Sequence, residues 1–158
     1  QSQAYYSDAN STMRMSFGTV QSYTMNNGKN SGIYCGPDGL LNKAETASTN
    51  KDYELLPSIK TLMEKADFGR YRDSKSKDLQ LCFLTNNDIT GGNSGSPVFN
   101  GKGELIGLAF DGNWEAMSSD IAFNTQLQRC ISVDIRYVLF MMDKWGDAQH
   151  LLTELTVR

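Results

Sequence analysis

A serine lies between glycines in the stretch Thr90-Gly91-Gly92-Asn93-Ser94-Gly95-Ser96-Pro97. That arrangement suits acyl transfer. Glycine lets the backbone fold back on itself and lets a substrate carbonyl come close. Amides flanking the serine then converge on the point where an oxyanion forms. A Gly-Ser cluster is also an ordinary surface turn, so the flanking sequence must decide. The chain holds a single histidine, His150. A serine hydroxyl is a weak nucleophile without a base to take its proton. His150 follows the serine in a short amphipathic segment, where packing or capping is the more common role.

The elements around the serine are those of a β region. Leu79-Gln80-Leu81-Cys82-Phe83-Leu84 is an apolar run that feeds the loop through Asn86-Asn87-Asp88. After the loop, Val98-Phe99 and Glu104-Leu105-Ile106-Gly107-Leu108-Ala109-Phe110 flank Asn100-Gly101-Lys102-Gly103. Asn-Gly between apolar runs is a strong hairpin signal. Asp111-Gly112-Asn113 is expected to break the second strand, with Trp114, a packing residue, opening a loop rich in Ser and Asp. Upstream, Met13, Met15 and Phe17 alternate with Arg14 and Ser16, as in a half-buried strand continuing over 19–23. Residues 26–32 read as a turn. Residues 33–35 read as a short strand stopped by Gly36-Pro37-Asp38-Gly39, and 43–51 as exposed polar chain. Pro57 suits a first helical turn, and Ile59, Leu62, Met63 and Ala66 make one apolar stripe that Gly69 ends. Residues 70–78 read as a solvated loop. A last helix is expected from about Ser132 to Trp145, capped by Gly146, followed by a short amphipathic turn over 150–155. Residues 1–12 are a polar lead-in, and 13–158 the structured portion.

Composition narrows the function. The 158 residues are 39% apolar and 21% charged, with a net charge of -3. That is one domain or a piece of a larger one. A basic nucleic-acid face is not expected, nor a membrane span, since no apolar run has the length. The three cysteines, Cys35, Cys82 and Cys130, give neither a zinc pattern nor a full disulfide framework, and buried free thiols are expected ahead of the alternative, a single bridge. No spacing suggests a metal, and no cofactor is expected. The chain opens on Gln1 without an initiator Met or leader, which suggests an excised or processed product.

Gly92-Asn93-Ser94-Gly95-Ser96-Pro97 resembles the nucleophile loop of the chymotrypsin-like serine peptidases, with Asn for the usual Asp and Ser for a Gly. The resemblance sharpens over Thr85 to Pro97, over Gly107-Leu108-Ala109-Phe110-Asp111-Gly112-Asn113-Trp114-Glu115, and over Gln128-Arg129-Cys130-Ile131-Ser132-Val133-Asp134-Ile135-Arg136-Tyr137. These segments look like the C-terminal end of bacterial dipeptidyl-peptidases of the 7/11 type, closer to the 7 type, and the match runs from about Asp8 to Leu155. The resemblance implies a mainly β fold with flanking α-helices: the serine-bearing half of a chymotrypsin-like antiparallel β-barrel. It implies that Ser94 is the nucleophile and that the backbone amides of Gly92 and Ser94 form the oxyanion hole. Such enzymes are much longer. Their triad His and Asp lie in the N-terminal half, and a helical domain interrupts the barrels. The isolated chain is therefore expected to be inactive, with the rest of the parent enzyme as its first partner.

The resemblance also implies that Asp111 holds the free amino terminus of a peptide substrate by a charge-assisted bond. In the family it resembles, the residue at the Gly112 position sets the P1 pocket. An Arg there selects acidic side chains; Gly112 implies apolar or aromatic ones, with Phe110 on the wall. A periplasmic or secreted location and a homodimeric parent are implied in the same way. A lone half-barrel would expose the face meant for its mate, and such a patch invites self-association. The competing reading is a non-catalytic binding or assembly domain that keeps the peptidase-like barrel. A cysteine hydrolase built on Cys82 or Cys130 is disfavoured, because neither lies in a Gly-rich turn.

Overall fold

The computed structural model describes residues 13–119 and 122–157. The lead-in over 1–12 lies outside the described residues. Five strands, β1 (Tyr34–Cys35), β2 (Cys82–Thr85), β3 (Pro97–Phe99), β4 (Leu105–Gly112) and β5 (Cys130–Asp134), hydrogen-bond in the order β1-β2-β5-β4-β3. Among the described residues the sheet is open, with β1 and β3 at its edges. The barrel implied by the resemblance is therefore not closed among the described residues, whose five strands have no pairing between β1 and β3. Among the described residues four α-helices accompany the sheet: α1 (Pro37–Thr46), α2 (Pro57–Lys65), α3 (Ile135–Lys144) and α4 (Gln149–Leu152).

The chain divides into two compact units. The first comprises 1–33 and 83–133 and carries the serine loop. Its hairpin forms as expected. Strands β3 and β4 pair antiparallel with Pro97 opposite Leu108 and Val98 opposite Gly107, then slip by one residue before Phe99 meets Leu105. The turn at 100–104 closes through Asn100, whose side-chain oxygen accepts from the amides of Lys102 and Glu104 at 2.9 and 3.1 Å. The expected strand over 13–17 is absent. Met13, Met15 and Phe17 are 97%, 85% and 88% exposed. Alternation specifies a pleat, but a strand also needs a neighbouring edge, and only Val20 reaches one, bridging Thr85.

The second unit comprises 34–82 and 134–158. Its core gathers Met63 of α2, Leu139 and Phe140 of α3, Leu152 of α4, and Phe68, Tyr71, Leu79 and Leu81. Phe140 is fully buried, with the rings of Phe68 and Tyr71 meeting it edge-on at centroid distances of 5.5 and 5.9 Å. Helix α2 matches its apolar stripe, but Ala66 rather than Gly69 takes the left-handed closing position, at φ 50°. Helix α1 was not expected. Pro37 sits at its first turn, where the missing N–H costs nothing, so Gly36-Pro37 starts a helix instead of merely stopping a strand. The segment 70–78 is not a free loop either. Tyr71 is buried and its hydroxyl donates to Asp143 at 3.0 Å. Asp73 accepts from Arg136 at 2.9 Å, and hydrogen bonds from the Ser76 amide and then Arg136 hold its carboxyl well below the usual range.

The expected single helix from Ser132 resolves into strand β5 followed by α3. Asp134 is the N-cap: its side chain accepts from the Arg136 amide at 2.9 Å. An Asp there satisfies one of the amides that a helix start leaves unpaired, so the β-branched residues before it stay in the strand. At the far end the Gly146 amide bonds Met141 at 2.8 Å, while Asp147 holds the left-handed position.

Candidate active site

Two glycines set the serine loop. Gly92 and Gly95 have φ of 90° and 86°, a region that a residue with a Cβ enters at a cost, and they turn the chain on either side of Ser94. Asn93 stitches the turn. Its side-chain oxygen accepts from the Thr90 amide at 2.8 Å, its own amide reaches the Thr90 carbonyl at 3.1 Å, and its carbonyl accepts from Ser96 at 2.9 Å. The loop is fastened to β4: the Gly95 amide donates to Ala109 at 2.7 Å, and the Ala109 amide to Ser96 at 2.9 Å. Ser94 is thereby exposed at the end of the hairpin, with its Oγ donating to the Phe110 carbonyl at 3.2 Å. Among the described residues the amides of Gly92 and Ser94 have no backbone acceptor.

Strand β4 runs on through Gly112, two residues beyond the break expected after Phe110. The extension is held from behind. The Asn113 amide donates to the Arg129 carbonyl at 3.0 Å, and the Arg129 amide returns a bond to the Asn113 side chain at 2.8 Å. Ser94, Phe110, Asp111 and Gly112 therefore line one cleft of about 320 Å³, together with Ile89 and Met117. Asp111 is exposed, and one of its carboxylate oxygens accepts from the Gly112 amide at 2.8 Å. Gly112 is half-buried, and a Cβ there would stand 2.9 Å from that of Ala116. The loop expected after Asn113 is a 3₁₀ turn over Trp114–Ser118. Trp114 is 82% exposed, so the packing role expected for it is not met among the described residues.

Sequence reasoning missed what supports the cleft. Arg129 is only 2% exposed. Its guanidinium donates to the carbonyls of Gln21 (3.2 Å), Ser22 (2.8 Å), Thr125 (2.8 Å), Gln126 (3.3 Å) and Gln128 (2.7 Å). Burial makes the cation harder to keep, lowering its pKa, and the carbonyl dipoles replace the water it has lost. Gln128 is equally buried, and its amide nitrogen donates to Glu115 at 3.0 Å, tying down the 3₁₀ turn. An Arg in a polar stretch reads as surface, and only the tertiary meeting of 21–22 with 125–129 reveals the clamp. Replacing Arg129 with Met removes the donor shared by five carbonyls, that of buried Gln128 among them. The expected loss is about 3–5 kcal/mol of stability, read as a lowered urea midpoint, with Arg129→Lys recovering little because an ammonium lacks the fork.

No histidine accompanies the serine in its own unit, residues 1–33 and 83–133. His150 belongs to α4 of the second unit. Cys130 is buried against Ser132, and burial pushes its thiol up, which suits packing rather than attack.

Comparison with known proteins gives a consistent result. A family model described as peptidase S46 matches residues 1–157. The chain is 55% identical over 151 residues to a dipeptidyl-peptidase 7 of Porphyromonas endodontalis, covering 96% of this chain and 18% of that protein. It is 42% identical over 155 residues to an Asp/Glu-specific dipeptidyl-peptidase of Porphyromonas gingivalis, covering 98% and 21% respectively. The crystal structure of Porphyromonas endodontalis DPP11 in complex with the dipeptide Arg-Asp superposes with a TM-score of 0.84 at 36% identity, over 90% of this chain and 20% of that one. The chain thus spans about a fifth of the length of the relatives it matches.

Proposed function

The chain belongs to the peptidase S46 family, and from that premise we propose that it is the nucleophile-bearing part of a longer serine dipeptidyl-peptidase. The observation that carries this reading is the fastening of the serine loop to β4, which brings Ser94, Phe110, Asp111 and Gly112 to one cleft. In this reading Ser94 Oγ attacks the scissile carbonyl of a peptide. Its proton passes to a histidine supplied by the rest of the parent, in a chymotrypsin-like arrangement. The amides of Gly92 and Ser94 stabilise the oxyanion, and the acyl-enzyme is then released by water. The carboxylate of Asp111 takes the substrate's α-ammonium. Cleavage is thereby measured from the N-terminus, and a dipeptide leaves.

Gly112 leaves the P1 pocket without charge, which favours apolar and aromatic side chains. Higher identity to the dipeptidyl-peptidase 7 than to the Asp/Glu-specific relative is consistent with that preference. Gly112→Arg in the full-length parent tests it. The ratio of kcat/KM for Glu-P1 over Phe-P1 dipeptidyl substrates is expected to rise about 10- to 100-fold, as one charge-assisted pair in a partly buried pocket provides. The 3₁₀ turn must shift to admit the new side chain, because a Cβ at 112 would stand 2.9 Å from that of Ala116. An unchanged ratio would remove the pocket assignment. A parent that binds peptides without cleaving them would instead favour a non-catalytic binding domain, the reading suggested by the missing base.

A further inference from the structure

Two cysteines outside the serine cleft are neighbours in the second unit. Strands β1 and β2 lie side by side, and the Leu81 amide donates to the Cys35 carbonyl at 2.8 Å. That pairing sets Cys82, the next residue, beside Cys35, whose own thiol donates to the Gly36 carbonyl at 3.6 Å. Both are half-buried, whereas Cys130 is 1% exposed. Cys35 also directly precedes Gly36, the N-cap of the ten-residue helix α1, where unpaired amides and the helix dipole favour an anion. Gly39 leaves room over the sulfur: a Cβ there would stand 3.0 Å from Cys35 Sγ.

The two thiols are unequal. The neighbouring Cys82 thiol draws Cys35 down to about 7, while Cys35 and burial push Cys82 up. One thiol is thus poised to ionise and the other to hold its proton until a sulfur is in reach. Two such groups in contact are what thiol–disulfide exchange requires.

We propose that Cys35 and Cys82 form a dithiol exchange site that closes to an intrachain disulfide on meeting a low-molecular-weight disulfide. Cys35 thiolate attacks one sulfur of the disulfide RSSR, forming Cys35–S–S–R and expelling RS⁻, which takes up a proton. Cys82 then gives up its proton and attacks Cys35 Sγ, expelling the second RS⁻. Two thiols are oxidised by two electrons in all, and RSSR is reduced to two RSH. The bridge joins β1 to β2 and encloses the segment holding α1 and α2, so it restrains the second unit in its unfolded state.

The test is incubation of the full-length parent with oxidised glutathione, followed by non-reducing peptide mapping. The expected result is a linked peptide pair containing Cys35 and Cys82, reversed by dithiothreitol, with Cys130 unmodified. Cys82→Ser should trap a glutathione adduct on Cys35, formed at least about tenfold faster than any adduct on Cys82 in Cys35→Ser. The two variants keep the order of attack testable if one of them folds poorly, since the wild-type bridge is read separately. Free Cys35 and Cys82 in the treated wild type, a bridge to Cys130, or equal adduct rates in the two variants would each overturn the proposal.

Discussion

Ser94→Ala in the full-length parent is expected to lower kcat by about 10⁴- to 10⁶-fold, the scale seen when a serine nucleophile is removed from an acyl-transfer site. Dipeptide product binding should change little, because Ser94 is exposed and only its Oγ is lost, with a single bond to the Phe110 carbonyl at 3.2 Å. The loop geometry rests on Gly92, Asn93 and Gly95, not on the serine side chain. Steady-state kinetics on a dipeptidyl substrate, beside calorimetric titration with product, separates these effects. Loss of turnover with binding retained is the signature of a nucleophile; loss of both would mean that the loop had collapsed.

Asp111→Asn should cost about 10²-fold in kcat/KM on substrates with a free α-amine, and almost nothing on N-acetylated peptides, which lack the charge. Truncating one partner of a hydrogen-bonded charge pair costs about 2–5 kcal/mol where the pair is desolvated. The cleft is open and Asp111 exposed, so the lower end applies. The sign of the pH dependence follows. The substrate's α-amine loses its proton around pH 8, so wild-type kcat/KM should decline above that pH as the ammonium is depleted. The Asn variant should lack this limb, because it gains nothing from the charge. A pH–rate profile from 6 to about 9.5 reads both enzymes, and an unchanged alkaline limb in Asp111→Asn would remove the carboxylate from substrate recognition.

The serine loop was legible in the sequence because its determinants are local. Glycines at 92 and 95 and an asparagine at 93 state a tight turn by their residue types, and Asn100-Gly101 states the hairpin. Helix α2 was legible for the same reason, through Pro57 and one apolar stripe. Misreadings fell where one residue's meaning depended on its neighbour. Pro37 stops a strand and starts a helix with equal ease, and Asp134 divides a continuous apolar run into β5 and α3 by capping. Periodicity over 13–17 suggested a strand whose pairing edge the described residues do not provide. Arg129 and Gln128 were hidden altogether, since their partners lie up to 108 residues away. At the site, the positions of Phe110, Asp111 and Gly112 beside Ser94 follow from the hairpin register, but their roles came from family resemblance. The absent base is a plain count, one histidine and that in the other unit.

Ser94 is proposed as a nucleophile whose base lies outside these residues. Fluorophosphonate labelling reads that directly, because the reagent loses fluoride only to an activated hydroxyl and leaves a phosphonyl group on its oxygen. Mapped by mass spectrometry, the adduct in the full-length parent should sit on Ser94, and the isolated 158-residue chain should label at least about 10³-fold more slowly for want of general-base assistance. An adduct on any other residue of the parent, or an isolated chain labelled as fast as the parent, would contradict it.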